Sequence, residues 1–165
     1  MAAELRFDEV LRVLTRNDVE FIVVGGVAAI LQGSPLSTED VDIVYLSSEE
    51  NHTRLANALE ELKAHYFDPA GRHFEPTVSR LATMRMHLLR TIHGRVDVLR
   101  TVGNNLTYQD LVERTRMLDV AEFRVRALDL EAIIETKEHA NRPKDQYQLL
   151  FLRQLLAEIQ RLDNE

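Results

Sequence analysis

Apolar residues recur along the chain with two different spacings, and the spacing changes from one segment to the next. Continuous runs of Ile and Val suit strands that are buried on both faces of a sheet, and apolar residues three or four apart suit amphipathic helices. The predicted strands cover residues 20–24, 41–46, 86–92 and 95–102, with one or two edge strands within 117–125. The predicted helices cover residues 4–16, 26–32, 49–65, 108–114, 129–140 and 144–162. This order predicts a mixed α/β core followed by a helical C-terminal third.

Turn-forming residues separate these segments. Gly25-Gly26 follows the first strand, and Pro35 predicts a loop because it keeps the preceding residue out of the helical region. His93-Gly94 predicts the tight turn of a hairpin, which Asn104-Asn105 ends. No repeat or linker interrupts the chain, so we expect one domain over residues 1–165. Its sheet core is expected at about 18–125 and its C-terminal helices at about 127–163.

The composition excludes several classes of protein. The 165 residues include no cysteine, which excludes both a disulfide framework and a thiolate metal site. No apolar run approaches the ~20 residues that a membrane-spanning helix needs. The N-terminal segment carries acids and lacks the apolar core of a signal peptide. We therefore expect a cytoplasmic protein with no membrane contact.

The charge of the chain is unevenly distributed. A formal charge of −7 argues against a general binder of polyanions. Residues 72–100, however, carry six Arg and only two acids, Glu75 and Asp97. This segment is either an electrostatic path for an RNA or nucleotide acceptor or an ordinary Arg-rich surface.

Two carboxylates stand at the start of the second strand. Asp40 and Asp42 are two residues apart, so on a strand their side chains point to the same face with Cα atoms roughly 7 Å apart. Without a cation they would repel each other, and oxygen ligands of this kind suit Mg²⁺ or Mn²⁺. The simpler alternative is that Asp40 caps a turn and Asp42 is a solvated strand residue.

Gly25-Gly26 lies where a buried strand passes into a short helix. A glycine turn at this place exposes backbone N–H groups to a phosphate. The alternative is a tight turn that only permits close packing. The spacing matches neither a Walker loop nor a dinucleotide-binding motif.

Asp97 is a third acid, flanked by apolar residues in the predicted hairpin. If its strand lies beside the second strand, Asp97 completes a three-carboxylate cluster with Asp40 and Asp42. Such a cluster suits two metal ions about 3.5–4 Å apart and an in-line phosphoryl displacement. The alternative is an ion pair between Asp97 and a neighbouring arginine such as Arg90 or Arg95.

Together these motifs resemble the minimal polymerase-β-like nucleotidyltransferase superfamily. A hydrophobic residue precedes Gly25-Gly26, thirteen residues follow, then Asp40-Val41-Asp42-Ile43 and later Val96-Asp97-Val98. This resemblance covers about residues 18–100. The segment 133–145 is similar to one subgroup, the small bacterial abortive-infection-type toxin nucleotidyltransferases. There, a Lys on one helix and a Lys-Asp pair opening the next helix lie near the nucleotide.

The resemblance implies a nucleotidyltransferase-type mixed β-sheet core flanked by helices. It implies a Mg²⁺- or Mn²⁺-dependent enzyme that moves a nucleoside monophosphate from an NTP to an acceptor hydroxyl on RNA, protein or a small molecule. Asp40, Asp42 and Asp97 would ligate the metal, and Asp97 would also be the base toward the acceptor. The residues implied to contact the nucleotide are Gly25, Gly26, Thr38, Lys137 and Lys144.

The lysines and histidines have simpler interpretations as well. Lys137 and Lys144 are alternatively solvated helix residues, in which case Lys144 pairs with Asp145 or Glu138. His139 is predicted to be a surface residue or a helix-end contact. The remaining histidines show no metal-ligand spacing and receive no role: His52, His65, His73, His87 and His93.

One position departs from the superfamily pattern. Many relatives carry an Arg two residues before the Thr that precedes the Asp pair, where this chain has Leu36. Either a contact to phosphate or acceptor is missing, or another Arg supplies it. The alternative function is therefore a catalytically inactive member that binds a nucleotide or a partner protein, for example within a toxin–antitoxin pair. A structural α/β domain without a site is the third interpretation.

Overall fold

The computed structural model describes residues 3–165, and most of these residues lie in strands or helices. The strands are β1 (Phe21–Val24), β2 (Asp40–Tyr45), β3 (His65–Tyr66), β4 (Met86–Thr91), β5 (Gly94–Leu99), β6 (Thr101–Val102), β7 (Leu106–Thr107), β8 (Thr115–Val120) and β9 (Phe123–Leu128). The α-helices are α1 (Phe7–Arg16), α2 (Gly25–Leu31), α3 (Glu49–Glu61), α4 (Val78–Thr83), α5 (Tyr108–Leu111), α6 (Leu130–Ala140) and α7 (Pro143–Asp163). A 3₁₀ turn at Val112–Arg114 extends α5.

Seven of the strands form one mixed sheet in the order β3-β4-β5-β2-β1-β9-β8. β2 runs parallel to β5 and β1 runs parallel to β9, whereas the other neighbours are antiparallel. Together with the flanking helices and the C-terminal pair α6 and α7, this sheet confirms the predicted fold class. No helix within residues 3–165 combines the length and the apolar character that crossing a bilayer requires.

Capping explains where several helices begin. Ser48 caps α3, since its side-chain oxygen accepts a hydrogen bond from the Asn51 N–H. Asp129 caps α6 in the same way through the Ala132 N–H. These side chains satisfy backbone donors that the first turn of a helix leaves unpaired.

The ends predicted for two elements and the position predicted for a third in the sheet were wrong. The helix predicted to reach residue 65 ends at Glu61, because Lys63 adopts φ +53° and turns the chain into β3. The hairpin strand predicted to reach residue 102 ends at Leu99, and β6 pairs with β7 across a turn that contains Asn105 at φ +58°. The pattern over 117–125 predicted only edge strands. β8 is an edge, but β9 lies inside the sheet beside β1.

The two faces of the β2–β5–β4 portion differ in chemistry. The face that we call the covered face carries buried residues, namely Ile43, Tyr45, His87, Leu89, Val96 and Val98. Leu55 and Leu59 of α3 and Leu81 of α4 belong to the same buried core. The opposite face, which we call the carboxylate face, carries Asp42 and Asp97 and then the exposed Leu88. Strand alternation thus separates an apolar core from an accessible polar surface.

Candidate active site

Three carboxylates converge on the carboxylate face. Asp42 lies directly opposite Asp97 in the parallel register of β2 and β5, and Asp40 lies two residues before Asp42. One carboxylate oxygen from each residue lies within 4.8 Å of the others. All three residues are partly buried. The condition set for Asp97, a strand beside the second strand, is therefore met.

These carboxylates have no cationic side chain as an ion-pair partner within residues 3–165. In particular, neither Arg90 nor Arg95 forms an ion pair with Asp97 there. Burial, followed by the charges of Asp40 and Asp97, raises the pKa of Asp42 to about 8. Burial and the charge of Asp40 also raise the pKa of Asp97. A divalent cation would relieve this repulsion, so the donor set fits a hard metal ion.

Gly25 and Gly26 leave the space that Asp42 and Thr38 occupy. Gly25 has φ +65°, and a Cβ placed on it would lie 2.5 Å from the Oδ2 atom of Asp42. A Cβ on Gly26 would lie 2.7 Å from the Oγ1 atom of Thr38. The Thr38 hydroxyl itself donates to the Asp40 carbonyl at 3.1 Å. Glycine at both positions is thus required for the strand and the loop to approach each other.

One cavity of about 450 Å³ brings the predicted site residues together. Its lining includes the three carboxylates, both glycines and Thr38. Lys137 and Lys144 also line it, although they are about a hundred residues distant in sequence from Asp40 and Asp42. Leu36, the position that departs from the superfamily pattern, lies in the same cavity.

Two cations that line this cavity, Lys137 and Arg142, pair with one buried carboxylate, and we call them its cationic wall. Asp145 is fully buried, and its carboxylate accepts hydrogen bonds from the Arg142 guanidinium at 2.7 and 3.2 Å. The Lys137 Nζ atom lies 3.6 Å from the same carboxylate and donates to the Gln148 Oε1 atom at 2.6 Å. Burial lowers the pKa of Lys137, while Asp145 opposes that shift. Lys137 is therefore anchored in the cavity wall, and its interpretation as a solvated residue is wrong.

The alternative ion pairs predicted for Lys144 are absent from the described residues. Asp145 pairs with Lys137 and Arg142, and Glu138 pairs instead with Arg153. Lys144 is exposed at the cavity, where its ammonium remains available to an anion.

A family comparison now bears on this geometry. The family model described as "Nucleotidyl transferase of unknown function" (DUF2204) matches residues 3–165. The chain belongs to this nucleotidyl transferase family. No curated protein matches it in sequence.

Solved structures share the fold of this family member. A candidate nucleotidyltransferase from Thermotoga maritima superposes with a TM-score of 0.55 at 18% identity, covering 94% of this chain and 97% of its own. The lincosamide antibiotic adenylyltransferase LnuA, in a lincomycin-bound structure, gives 0.62 at 12% identity, with 93% and 99% covered. The antibiotic-resistance factor ANT(2″)-Ia gives 0.60 at 12% identity, with 93% and 82% covered. At these identities the likeness establishes the fold.

The family assignment confirms the resemblance to nucleotidyltransferases and supports nucleotidyl transfer as the class of activity. The similarity to abortive-infection-type toxins stays a prediction. His139 is exposed. The carboxylate triad is the one cluster of three or more acidic or histidine side chains within residues 3–165 with the spacing to hold a metal ion, and it includes no histidine.

Sequence reasoning missed Arg142 as a residue of this candidate site. Its guanidinium lines the cavity and lies in the field of Asp42 and Asp40, which add to the rise in its pKa caused mainly by Asp145. The available sequence signal was Pro143, because proline is favoured at the first position of a helix and so indicates that Arg142 is fixed in position as the cap of α7. Gln148 was also missed, because a polar residue in a long amphipathic helix resembles a solvated one.

Proposed function

We propose that this protein transfers a nucleoside monophosphate from an NTP to an acceptor hydroxyl in a metal-dependent reaction. The observation that carries the proposal is the convergence of Asp40, Asp42 and Asp97 in one cavity with a wall of fixed cations. Membership of a nucleotidyl transferase family supports the same class of reaction.

Asp40, Asp42 and Asp97 are the residues that would hold the cation. Mg²⁺ or Mn²⁺ fits because the donors are carboxylate oxygens alone. When bound, such a cation polarises the α-phosphate and neutralises charge on the pyrophosphate leaving group.

The triphosphate is proposed to lie between the glycine turn and the cationic wall. Gly25, Gly26 and Thr38 bound the cavity on the side of β2. Lys137 and Arg142 are oriented by Asp145 and so need little reorganisation to meet an anion, which is the basis of electrostatic preorganisation. Lys144 adds a third cation. In this proposal Arg142 supplies the positive charge that Leu36 cannot provide.

Asp97 is proposed as the base toward the acceptor. A carboxylate oxygen of Asp97 accepts the hydroxyl proton as the acceptor oxygen bonds to the α-phosphorus. The bond from that phosphorus to the bridging oxygen breaks, and pyrophosphate leaves with the electron pair. The products are the nucleotidylated acceptor and pyrophosphate.

Leu36 favours the second candidate, an inactive member that binds a nucleotide without transferring it. An apolar residue in the cavity removes one possible phosphate contact. Calorimetric titration with Mg²⁺ and each NTP separates the two candidates when it is run beside a transfer assay. Binding without transfer to any acceptor of a broad panel would favour the inactive member.

The decisive experiment is incubation with each NTP labelled at the α-phosphate, in a cell extract that supplies acceptors. We expect one labelled macromolecule or small molecule in the presence of Mg²⁺ and none in EDTA. The Asp42→Asn variant is the control, because it keeps the shape of the side chain and removes its charge. Transfer by that variant at the wild-type rate would refute the mechanism.

A further inference from the structure

An apolar and basic surface continues outward from the carboxylate triad across the edge of the sheet. On the carboxylate face, Leu88 is the cross-strand neighbour of Asp97. The Phe67 N–H donates to the Leu88 carbonyl at 3.4 Å, which places Phe67 next to Leu88 beyond β4. Leu88 is 47% exposed and Phe67 is 57% exposed. Exposed apolar side chains that lie next to one another beside the carboxylate triad indicate a binding surface.

Two arginines run alongside this line. Arg90 and Arg95 are direct cross-strand neighbours, and Arg95 is also the register partner of Asp40. Both are exposed, and neither has a carboxylate partner among the ion pairs of residues 3–165. The Arg90 guanidinium lies over the Phe67 ring at 4.6 Å from its centroid. Both guanidinium groups are therefore available to an anion, although the chain as a whole carries a formal charge of −7.

We propose that this surface, formed by Phe67, Leu88, Arg90 and Arg95, binds the 3′ end of a single-stranded nucleic acid as the acceptor. The inference rests on the proposed function, because it presents the terminal hydroxyl to Asp97. Bases stack on apolar and aromatic side chains, and arginines meet the phosphates, as in other binders of single strands.

The dimensions of this surface fit the end of a single-stranded nucleic acid. The distance from Asp97 across Leu88 to Phe67 is two β-strand spacings, about 10 Å. Stacked nucleotides rise ~3.4 Å each, so the surface accommodates about two to three of them. Met86 and Leu88 also line the cavity that contains the carboxylates, so the surface adjoins that cavity. The hydroxyl end thus reaches Asp97 while the preceding phosphates lie toward Arg90 and Arg95.

The charge distribution limits which nucleic acids fit. The acidic remainder of the chain repels a long polyanion, so binding is confined to a short terminal stretch. A duplex end would hold its bases in the stack and away from Leu88 and Phe67. A short single strand with a free 3′ hydroxyl is therefore the acceptor that this surface favours over a duplex.

The test is fluorescence anisotropy with labelled single strands of roughly ten nucleotides, in RNA and DNA versions, at low salt and without NTP. We expect the wild-type protein to bind. The double variant Arg90→Glu with Arg95→Glu should bind at least about tenfold more weakly, with a salt slope smaller by about 1.4 for two lost phosphate contacts. Phe67→Ala should weaken binding by about tenfold. The matched control is Arg54→Glu with Arg116→Glu, two exposed arginines that also lack carboxylate partners.

The outcomes separate this inference from the proposed function. Equal binding of RNA and DNA supports the surface, and a preference for RNA through its 2′-hydroxyls supports it and also identifies the acceptor as RNA. A wild-type protein that binds Mg²⁺–NTP by calorimetry but no single strand overturns the surface and leaves the proposed function standing. A double variant that binds as well as the control also overturns it. Single-strand binding without any NTP binding would refute the proposed function instead.

Discussion

The two faces of the β2–β5–β4 portion each bury titratable side chains, but these side chains lack ionic partners on one face and are fully hydrogen-bonded on the other. On the carboxylate face, Asp40, Asp42 and Asp97 converge without a cationic partner within residues 3–165. On the covered face, the fully buried His87 uses both ring nitrogens. Its Nε2 atom lies 3.3 Å from the Tyr45 hydroxyl, and its Nδ1 atom lies 2.6 Å from the Tyr66 hydroxyl.

The donors on the covered face form one consistent chain. The Tyr66 hydroxyl donates to Nδ1 of a neutral His87, whose Nε2–H donates to Tyr45, and the Tyr45 hydroxyl donates to the Leu81 carbonyl at 2.8 Å. Burial lowers the pKa of His87 to about 4 and raises that of Tyr66 to about 12, so both stay neutral. A buried polar group that is fully satisfied contributes to the fold. Buried groups that repel one another point to a ligand instead.

The largest expected effect separates activity from stability on the carboxylate face. Asp42→Asn should lower the rate of nucleotidyl transfer by about 10²–10³-fold, the usual cost of losing one preorganised electrostatic contact. The same change should raise the melting temperature in EDTA at neutral pH, because burial and two carboxylates disfavour the ionised form that Asp42 adopts in the unfolded chain, and asparagine carries no such cost. Transfer assays and thermal unfolding measure the two quantities. A variant that melts below wild type in EDTA would contradict the comparison.

The second expected effect is the reverse, because a substitution on the covered face should lower stability and leave NTP binding unchanged. His87→Ala should lower the free energy of unfolding by about 3 kcal/mol, because it opens a cavity and leaves the Tyr66 hydroxyl unpaired. The KM for NTP should stay unchanged below the melting temperature, since His87 points away from the cavity. Chemical denaturation and steady-state kinetics test the two statements. His139→Ala is the control, because His139 is exposed and should change stability by less than about 0.5 kcal/mol.

The difference between the faces explains how far the sequence alone could lead. Alternation along 40–44 assigned Asp40 and Asp42 to one face, and a short motif related them to Gly25-Gly26. The structural interpretation of His87 was out of reach. Its partners Tyr45 and Tyr66 lie 42 and 21 residues away, and no local spacing connects them.

Long-range pairing likewise limited the prediction of the sheet. The alternating Arg124 and Arg126 of β9 resemble an exposed edge, yet Ala127 in the same strand pairs with Val23 of β1. A solvated Lys137 stayed open as an alternative in the sequence, because its buried partner Asp145 is on the next helix. Local patterns thus predicted the elements and the carboxylates, while the cationic wall depended on contacts between α6 and α7.

A third, smaller effect concerns pH, where the two faces act with opposite signs. The pKa of Asp42 is raised, so its favourable contribution is complete below the unfolded value of 3.8 and is lost as pH rises through about 8. The pKa of His87 is lowered, so its contribution is present above the unfolded value of 6.5 and is lost as pH falls through about 4.

Mg²⁺ should therefore stabilise the protein more at pH 8 than at pH 5, because the cation needs ionised carboxylates. At tenfold excess over its Kd, the ion should raise the melting temperature by roughly 3–5 °C at pH 8. Thermal unfolding with Mg²⁺ or EDTA at both pH values measures this difference. An equal shift at the two pH values would place the ion elsewhere.

The smallest expected effect concerns the absence of a side chain at Gly25, which leaves room for the Asp42 carboxylate. Gly25→Ala and Gly71→Ala both place a side chain at positive φ, +65° and +76°, which costs about 1–2 kcal/mol of stability in either case. At Gly71 a Cβ meets nothing within 4 Å, whereas at Gly25 it meets the Asp42 carboxylate at 2.5 Å. We therefore expect a larger loss in unfolding free energy for Gly25→Ala than for Gly71→Ala, and a Mg²⁺ affinity weaker by about tenfold for Gly25→Ala alone. Calorimetric titration of both variants decides the matter: equal Mg²⁺ affinities would mean that Asp42 tolerates displacement and that Gly25 serves the turn only.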